Sequence, residues 1–184
     1  MRQTLLLLLL GTAQGHQPTS SEGETFDIER PTISHAVYGT FHSGDEVFRI
    51  ELDYETPFAQ PYELLVPHQR RWKEHRPIYA VVGPGLPAPT AEELALLPEA
   101  LPAGMGLYLD LNEDPDRLVI FESFTRRMFW SSTPIALTVQ AGHTEVWIWS
   151  PEGSTGDFTF GFGVEEDFSG GFGEVFANWG TYAY

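Results

Sequence analysis

The chain has 184 residues, 42% of them hydrophobic and 14% aromatic, with a formal net charge of -16 and no cysteine. That length fits one domain better than two, and the lack of cysteine excludes disulfides, thiolate nucleophiles, zinc–cysteine sites and iron–sulfur clusters. The acidity argues against nucleic acid and against an anionic membrane surface, both of which need a basic face; it suits an exported, well-solvated protein or one that attracts cations.

The first segment is an address. Arg2 supplies a positive start, Leu5 to Leu10 an unbroken apolar run, and Ala13-Gln14-Gly15 small residues at both cleavage-recognition positions. This is the pattern of a short secretory signal peptide over residues 1–15. It is too short for a bilayer span of about 20 apolar residues, and no later stretch qualifies, so no transmembrane segment is expected. Residues 16–24 are polar and read as a flexible lead-in.

Residues 25–163 carry the domain. Val47 to Tyr54 alternates, with Phe48, Ile50, Leu52 and Tyr54 on one side and Arg49, Glu51 and Asp53 on the other, as a half-buried strand requires. Strands are also expected at Ala36–Phe41, Tyr62–Val66, Ile78–Val82, Met105–Leu109, Leu118–Phe121, Ile135–Val139, Glu145–Trp149 and Phe158–Phe162. Thr90-Ala91-Glu92-Glu93 has the spacing of a capping box and opens one short helix that Pro98 ends. Many short strands with turn signals between them and a single helix predict an all-β, antiparallel β-sandwich of jelly-roll type. Residues 164–184 form an acidic, Gly-rich and aromatic tail that either packs back on the domain or serves as a contact peptide.

Two stretches, Gly44-Asp45-Glu46-Val47-Phe48 and Ala141-Gly142-His143-Thr144-Glu145-Val146-Trp147-Ile148-Trp149 followed by Gly156-Asp157-Phe158, resemble the bacterial pre-peptidase C-terminal domains. The resemblance spans residues 37–163 in architecture and those two stretches in sequence. It implies a calcium-associated jelly-roll module of a secreted protein. The family's second acidic residue after the Gly-Asp turn is missing here, because Val47 precedes Phe48 directly. Val82 to Pro87 (Val-Gly-Pro-Gly-Leu-Pro) is also similar to a segment of uncharacterised exported bacterial proteins, which implies the same fold class and no function.

Several constellations could carry chemistry. Asp110, Asn112, Asp114 and Asp116 place oxygen atoms at alternate positions, as a calcium-wrapping loop needs. Pro115 and Phe121 stand where an EF-hand has its Gly and its bidentate Glu, so a calcium site here would be built differently; the alternative is an ordinary turn. Cleavage after Gly15 would make His16 the mature N-terminus, whose amino group and imidazole, with one further histidine among His35, His42, His68, His75 and His143, would suit copper. The segment 68–76 is the most basic in the chain; Arg70, Arg71 and Trp72 could grip an anionic sugar or partner. Trp147 and Trp149 share a strand face and would form a binding surface if that face is open.

No nucleophile elbow, zinc-protease helix or phosphate loop is present. The sequence therefore reads as an exported, periplasmic or extracellular, non-catalytic binding module. Its partner would be a glycan, a surface or a protein of the cell envelope, met through Trp147, Trp149, Trp72, Arg70 and Arg71. The alternatives are a copper-binding protein using His16 and a calcium-stabilised structural envelope protein.

Overall fold

The computed structural model describes residues 17–20, 24–122 and 125–165. The signal pattern, His16 and the tail beyond Glu165 lie outside them. Among the described residues the strands, numbered in chain order, are β1 (Gln17–Ser20), β2 (Thr25–Ile28), β3 (His35–Phe41), β4 (Val47–Tyr54), β5 (Phe58–Pro67), β6 (Ile78–Gly83), β7 (Gly106–Asp110), β8 (Leu118–Glu122), β9 (Arg127–Ser131), β10 (Ile135–Val139), β11 (Gly142–Trp149) and β12 (Gly156–Phe162). A 3-10 turn at Arg70–Trp72 follows β5, and helix α1 (Ala91–Leu96) lies between β6 and β7. No helix among the described residues is long and apolar enough to cross a membrane.

Two sheets face each other. One has seven strands in the order β1-β3-β12-β5-β9-β8, with β10 also paired to β5; the other has five, β2-β4-β11-β6-β7. Pairing is antiparallel except at two edges, where β1 joins β3 and β2 joins β4 in parallel. This is the expected β-sandwich, with three further strands. β1 and β2 are four residues each, too short for period two to register, and β1 falls in the stretch read as a flexible lead-in. β9 mixes Arg, Met, Phe, Trp and Ser, which dilutes its alternation.

The interior follows from the alternation. Phe48, Ile50, Leu52 and Tyr54 of β4 and Val146 and Ile148 of β11 meet Val37 and Phe41 of β3, Tyr62 and Leu64 of β5, and Phe158, Phe160 and Phe162 of β12. Phe41 and Phe158 set their rings edge-on or tilted to Phe48 at 5.0 and 4.9 Å, the offset geometry that aromatic quadrupoles favour. Gly39, opposite Phe158 in the register, makes room for that ring: a Cβ there would lie 2.4 Å from it.

A second core corrects the expectation for the tryptophan pair. Trp147 and Trp149 do share the outward face of β11, but that face is covered, leaving them 1% and 5% exposed. They pack with Ile78, Ala80, Val82 and Leu107, and Leu97, Leu101 and Met105 of the β6–β7 connection close over them. The helix in that connection starts as expected: Glu93 N–H donates to Thr90 Oγ1 at 3.1 Å, and Thr90 N–H donates to Glu93 Oε2 at 2.7 Å. The pair is therefore structural and offers no contact surface.

Trp147→Ala is expected to cost about 3–5 kcal/mol of stability in chemical denaturation, the range for emptying a large buried site. A loss below about 1 kcal/mol would show that the indole is not packed.

Candidate functional site

The Lys and Arg residues number ten, against 26 Asp and Glu. Seven of the ten, Arg70, Arg71, Lys73, Arg76, Arg117, Arg126 and Arg127, fall in the connection after β5 and in and around the β8–β9 hairpin. Strand pairing brings the two together. Val66 and Pro67 pair with Trp130 and Phe129, and His68 N–H then donates to Met128 O at 2.9 Å. The His68 ring meets the Trp130 indole edge-on at 4.5 Å, and the Arg117 guanidinium covers the same indole.

Within this end, two cations are internal fasteners. Arg117 donates to His75 O at 3.0 Å and to Lys73 O at 2.5 Å, pinning the basic connection to the hairpin. Arg76 Nη1 donates to Asn112 O at 3.2 Å and to Asp114 O at 2.9 Å. That contact revises the calcium expectation for Asp110, Asn112, Asp114 and Asp116. Asp110 and Asp114 each accept the backbone N–H two residues on, in the manner of Asx turns, and Asn112 Nδ2 donates to Pro77 O. The spacing that resembled a metal loop closes two local turns, and a guanidinium draws on the loop carbonyls. Among the described residues no group of three or more His, Asp or Glu side chains is placed to hold a metal ion.

Arg70 and Arg71 are exposed, whereas Trp72 is buried at 8% with the Arg71 guanidinium 3.8 Å above its ring. The arginines of the expected surface are thus presented, and the tryptophan supports them from below. Beside them the hairpin contributes Trp130, an aromatic the sequence offers for stacking on sugar rings, and Val119, Phe121 and Met128, which the sequence reading passed over. Register puts Val119, Phe121, Met128 and Trp130 on one face, the face against which His68 lies. Phe121, Met128 and Val119 are 61, 43 and 41% exposed, so an apolar strip borders the basic connection. The only sequence signal for it is a short strand with apolar residues at consecutive positions followed by Arg126-Arg127.

The turn that carried the family resemblance is closed by its own acid. Glu46 accepts N–H donors from His42, Ser43 and Gly44 at 2.7 to 2.8 Å. Slight burial works against its charge, but these donors prevail and hold it down to about 2. Gly44, at φ +82, abuts the carbonyl of Gly153, where a Cβ would sit 2.1 Å from the oxygen.

The histidines do not converge. His16 lies outside the described residues, so its copper reading is carried by sequence alone. His35 stacks on Phe162, His143 pairs with Asp53 at 3.0 Å, His42 is exposed, and His75 is buried with Nδ1 2.8 Å from Ser154 Oγ.

No family model and no curated protein matches the chain. Among solved structures it is similar to the pre-peptidase C-terminal domain of a collagenase from Bacillus anthracis, at 7% identity and a TM-score of 0.39, over 76% of this chain and 94% of that one.

Burial, reinforced by the Arg117 charge, lowers His75 from 6.5 to about 4. The unfolded chain therefore binds more protons between those values, and the fold loses stability as the pH falls from about 6.5 toward 4. The loss is on the order of 2–3 kcal/mol. Thermal melts at pH 7 and 4.5 should differ less for His75→Phe than for the natural chain; an equal difference would place the acid sensitivity elsewhere.

Proposed function

We propose that this chain is an exported, non-catalytic β-sandwich binding module that holds an acidic glycan of the cell envelope on its basic end. The observation that supports this most is the charge distribution: in a chain of net charge -16, seven of ten cations fall in two segments that the β5–β9 pairing and the Arg117 hydrogen bonds join. Glu74, Glu113, Asp114, Asp116 and Glu122 stand among them, so this end is far less negative than the rest of a strongly acidic chain and repels an anion least.

The chemistry of the end suits a sugar acid. Arg70 and Arg71 present planar guanidinium forks, which match carboxylate and sulfate groups better than an ammonium does. Arg76 and Arg117 spend their donors on loop carbonyls, so the connection that carries Arg70, Arg71 and Lys73 is held before a ligand arrives, which reduces the ordering cost of binding. Phe121 offers an exposed ring beside them for the C–H face of a pyranose. Export rests on the pattern of Arg2, Leu5 to Leu10 and Ala13-Gln14-Gly15.

The test is calorimetric titration with polygalacturonate and with heparin at low salt. Arg70→Glu/Arg71→Glu/Lys73→Glu should lose about tenfold or more in affinity, since charged hydrogen bonds contribute roughly 1.5–3 kcal/mol each. Its melting temperature should fall only slightly, because all three side chains are exposed and the packing lost is the Arg71 guanidinium on the Trp72 ring. Affinity unchanged by the triple reversal, or binding of polyglutamate but neither glycan, would overturn the reading.

A further inference from the structure

Among the described residues, the seven-stranded sheet ends in an unprotected edge. β8 has β9 as its single neighbour there, and the five pairs from Leu118–Ser131 to Glu122–Arg127 run without a bulge. An exposed edge is a template for further pairing, and folds blunt it with short strands, proline, charge or a covering loop. The other edges follow this rule. β1 is four residues long and contains Pro18, and β2 is four residues long with Asp27 on its exposed side. At β7 the Leu107 N–H donates to Pro87 O at 2.8 Å, and β10 turns Ala136 and Thr138 outward. β8 has none of these devices: Leu118 to Phe121 is an unbroken run of large apolar residues.

Both faces of that strand are open. Leu118 is 56% exposed on one side, and Val119 and Phe121 are exposed on the other. The second side is the inner face of the sheet. Val66, opposite Trp130, lies on the side of β5 that sends Tyr62 and Leu64 into the core, and the register carries that side on to Val119, Phe121 and Met128. The apolar inner face thus runs on past the cover of the opposing sheet. A strand that is apolar on both sides is matched by another with the same property, and β8 itself is one. Charge has the matching polarity: Glu113, Asp114 and Asp116, all exposed, precede β8, and the exposed Arg126 follows it.

We propose that β8 pairs antiparallel with β8 of a second copy of this chain, about a twofold axis through Ile120. Ile120 then faces its own counterpart, and Val119 of each copy faces Phe121 of the other. Directly opposed apolar side chains are the stabilising unit of such a junction. The axis reverses strand direction, so the acidic approach to β8 in one copy lies beside the Arg126 turn of the other: Asp114 stands six residues before Ile120 and Arg126 six after it. An axis perpendicular to the sheet keeps the two inner faces on the same side, and the two apolar strips join into one. The interface is self-complementary and closes, so assembly stops at two. Edge pairing leaves the faces of the sheet open, so the Phe121 ring is still presented to a sugar, and the dimer does not depend on the glycan reading.

Light scattering on the full chain, with no glycan present, should show a monomer–dimer equilibrium across a dilution series, because a single edge pairing makes a small interface. A monomer at every concentration up to roughly 200 µM overturns the proposal, and so does a species larger than a dimer. Val119→Lys/Phe121→Lys sets like charges opposite each other and is expected to weaken dimerisation about tenfold or more. Val119→Lys/Phe121→Glu sets opposite charges there and should recover most of that loss; dimerisation as weak as in the double-lysine chain overturns the register. Both positions are exposed, so the fold tolerates the exchanges. The absence of cysteine supplies a second readout. Ile120→Cys places one thiol per chain on the axis, with about 4.5–5.5 Å between the two Cα atoms, a separation a disulfide spans. Mild oxidation should link this chain into a covalent dimer, while Ala136→Cys on the β10 edge stays unlinked at the same concentration. No link at position 120, or equal linking at both positions, overturns the proposal.

Discussion

A strand that is apolar on both faces and hydrogen-bonded along both edges has to be buried on every side, and β11 is such a strand. β4 and β6 flank it, Val146 and Ile148 point into the sandwich, and Trp147 and Trp149 point away from it. A lone sheet-on-sheet packing would leave two indoles in water. The connection between β6 and β7 answers this by laying Leu97, Leu101 and Met105 across them. The border of the cover is visible in the next residue of the same face: Glu145, half-buried, accepts the Trp147 indole N–H at 2.6 Å. Much of the molecule's shape follows from this one strand.

Charge is organised with the same economy. Arg76 and Arg117 lie near each other and near His75, an arrangement that would be repulsive in isolation. Each is compensated by backbone carbonyls, whose partial charges are fixed in place and need no countercharge. A similar device with opposite sign operates at Glu46, where backbone N–H groups surround a carboxylate. Loops that resembled metal sites in their acid content are thus held by their own main chain.

How much of this was legible in the sequence depends on the range of the interaction that decides it. The alternation of Phe48, Ile50, Leu52 and Tyr54 and the capping box at Thr90 and Glu93 are local, and the structure reproduces them. Period two also placed Trp147 and Trp149 together, but it cannot say whether a face is covered, because the cover comes from residues near 100. Likewise Asp110 to Asp116 offers the same alternation of oxygens to an ion or to successive turns, and the decision falls to Arg76, distant in sequence. The basic connection was visible as a run of residues; its partner hairpin was not, since only the β5–β9 pairing joins Pro67 to Phe129. The parallel edge strands β1 and β2 are too short to show a period at all.

The positions of β11 and β12 carry a consequence for how the chain acquires its structure. They are the last strands of the described sandwich and lie inside both sheets: β11 links β4 to β6, and β12 links β3 to β5. The partners lie from about 60 to about 130 residues upstream, so contact order is high and loop closure has to be met before any of it is rewarded. A nascent chain short of Trp149 has neither sheet complete, and one short of Phe162 still lacks the strand that joins β3 to β5 and carries Phe158, Phe160 and Phe162 into the interior. Folding of the sandwich is therefore postponed until Phe162 has been made, at the cost of a long interval in which its apolar strands must be kept apart by the chain's own negative charge.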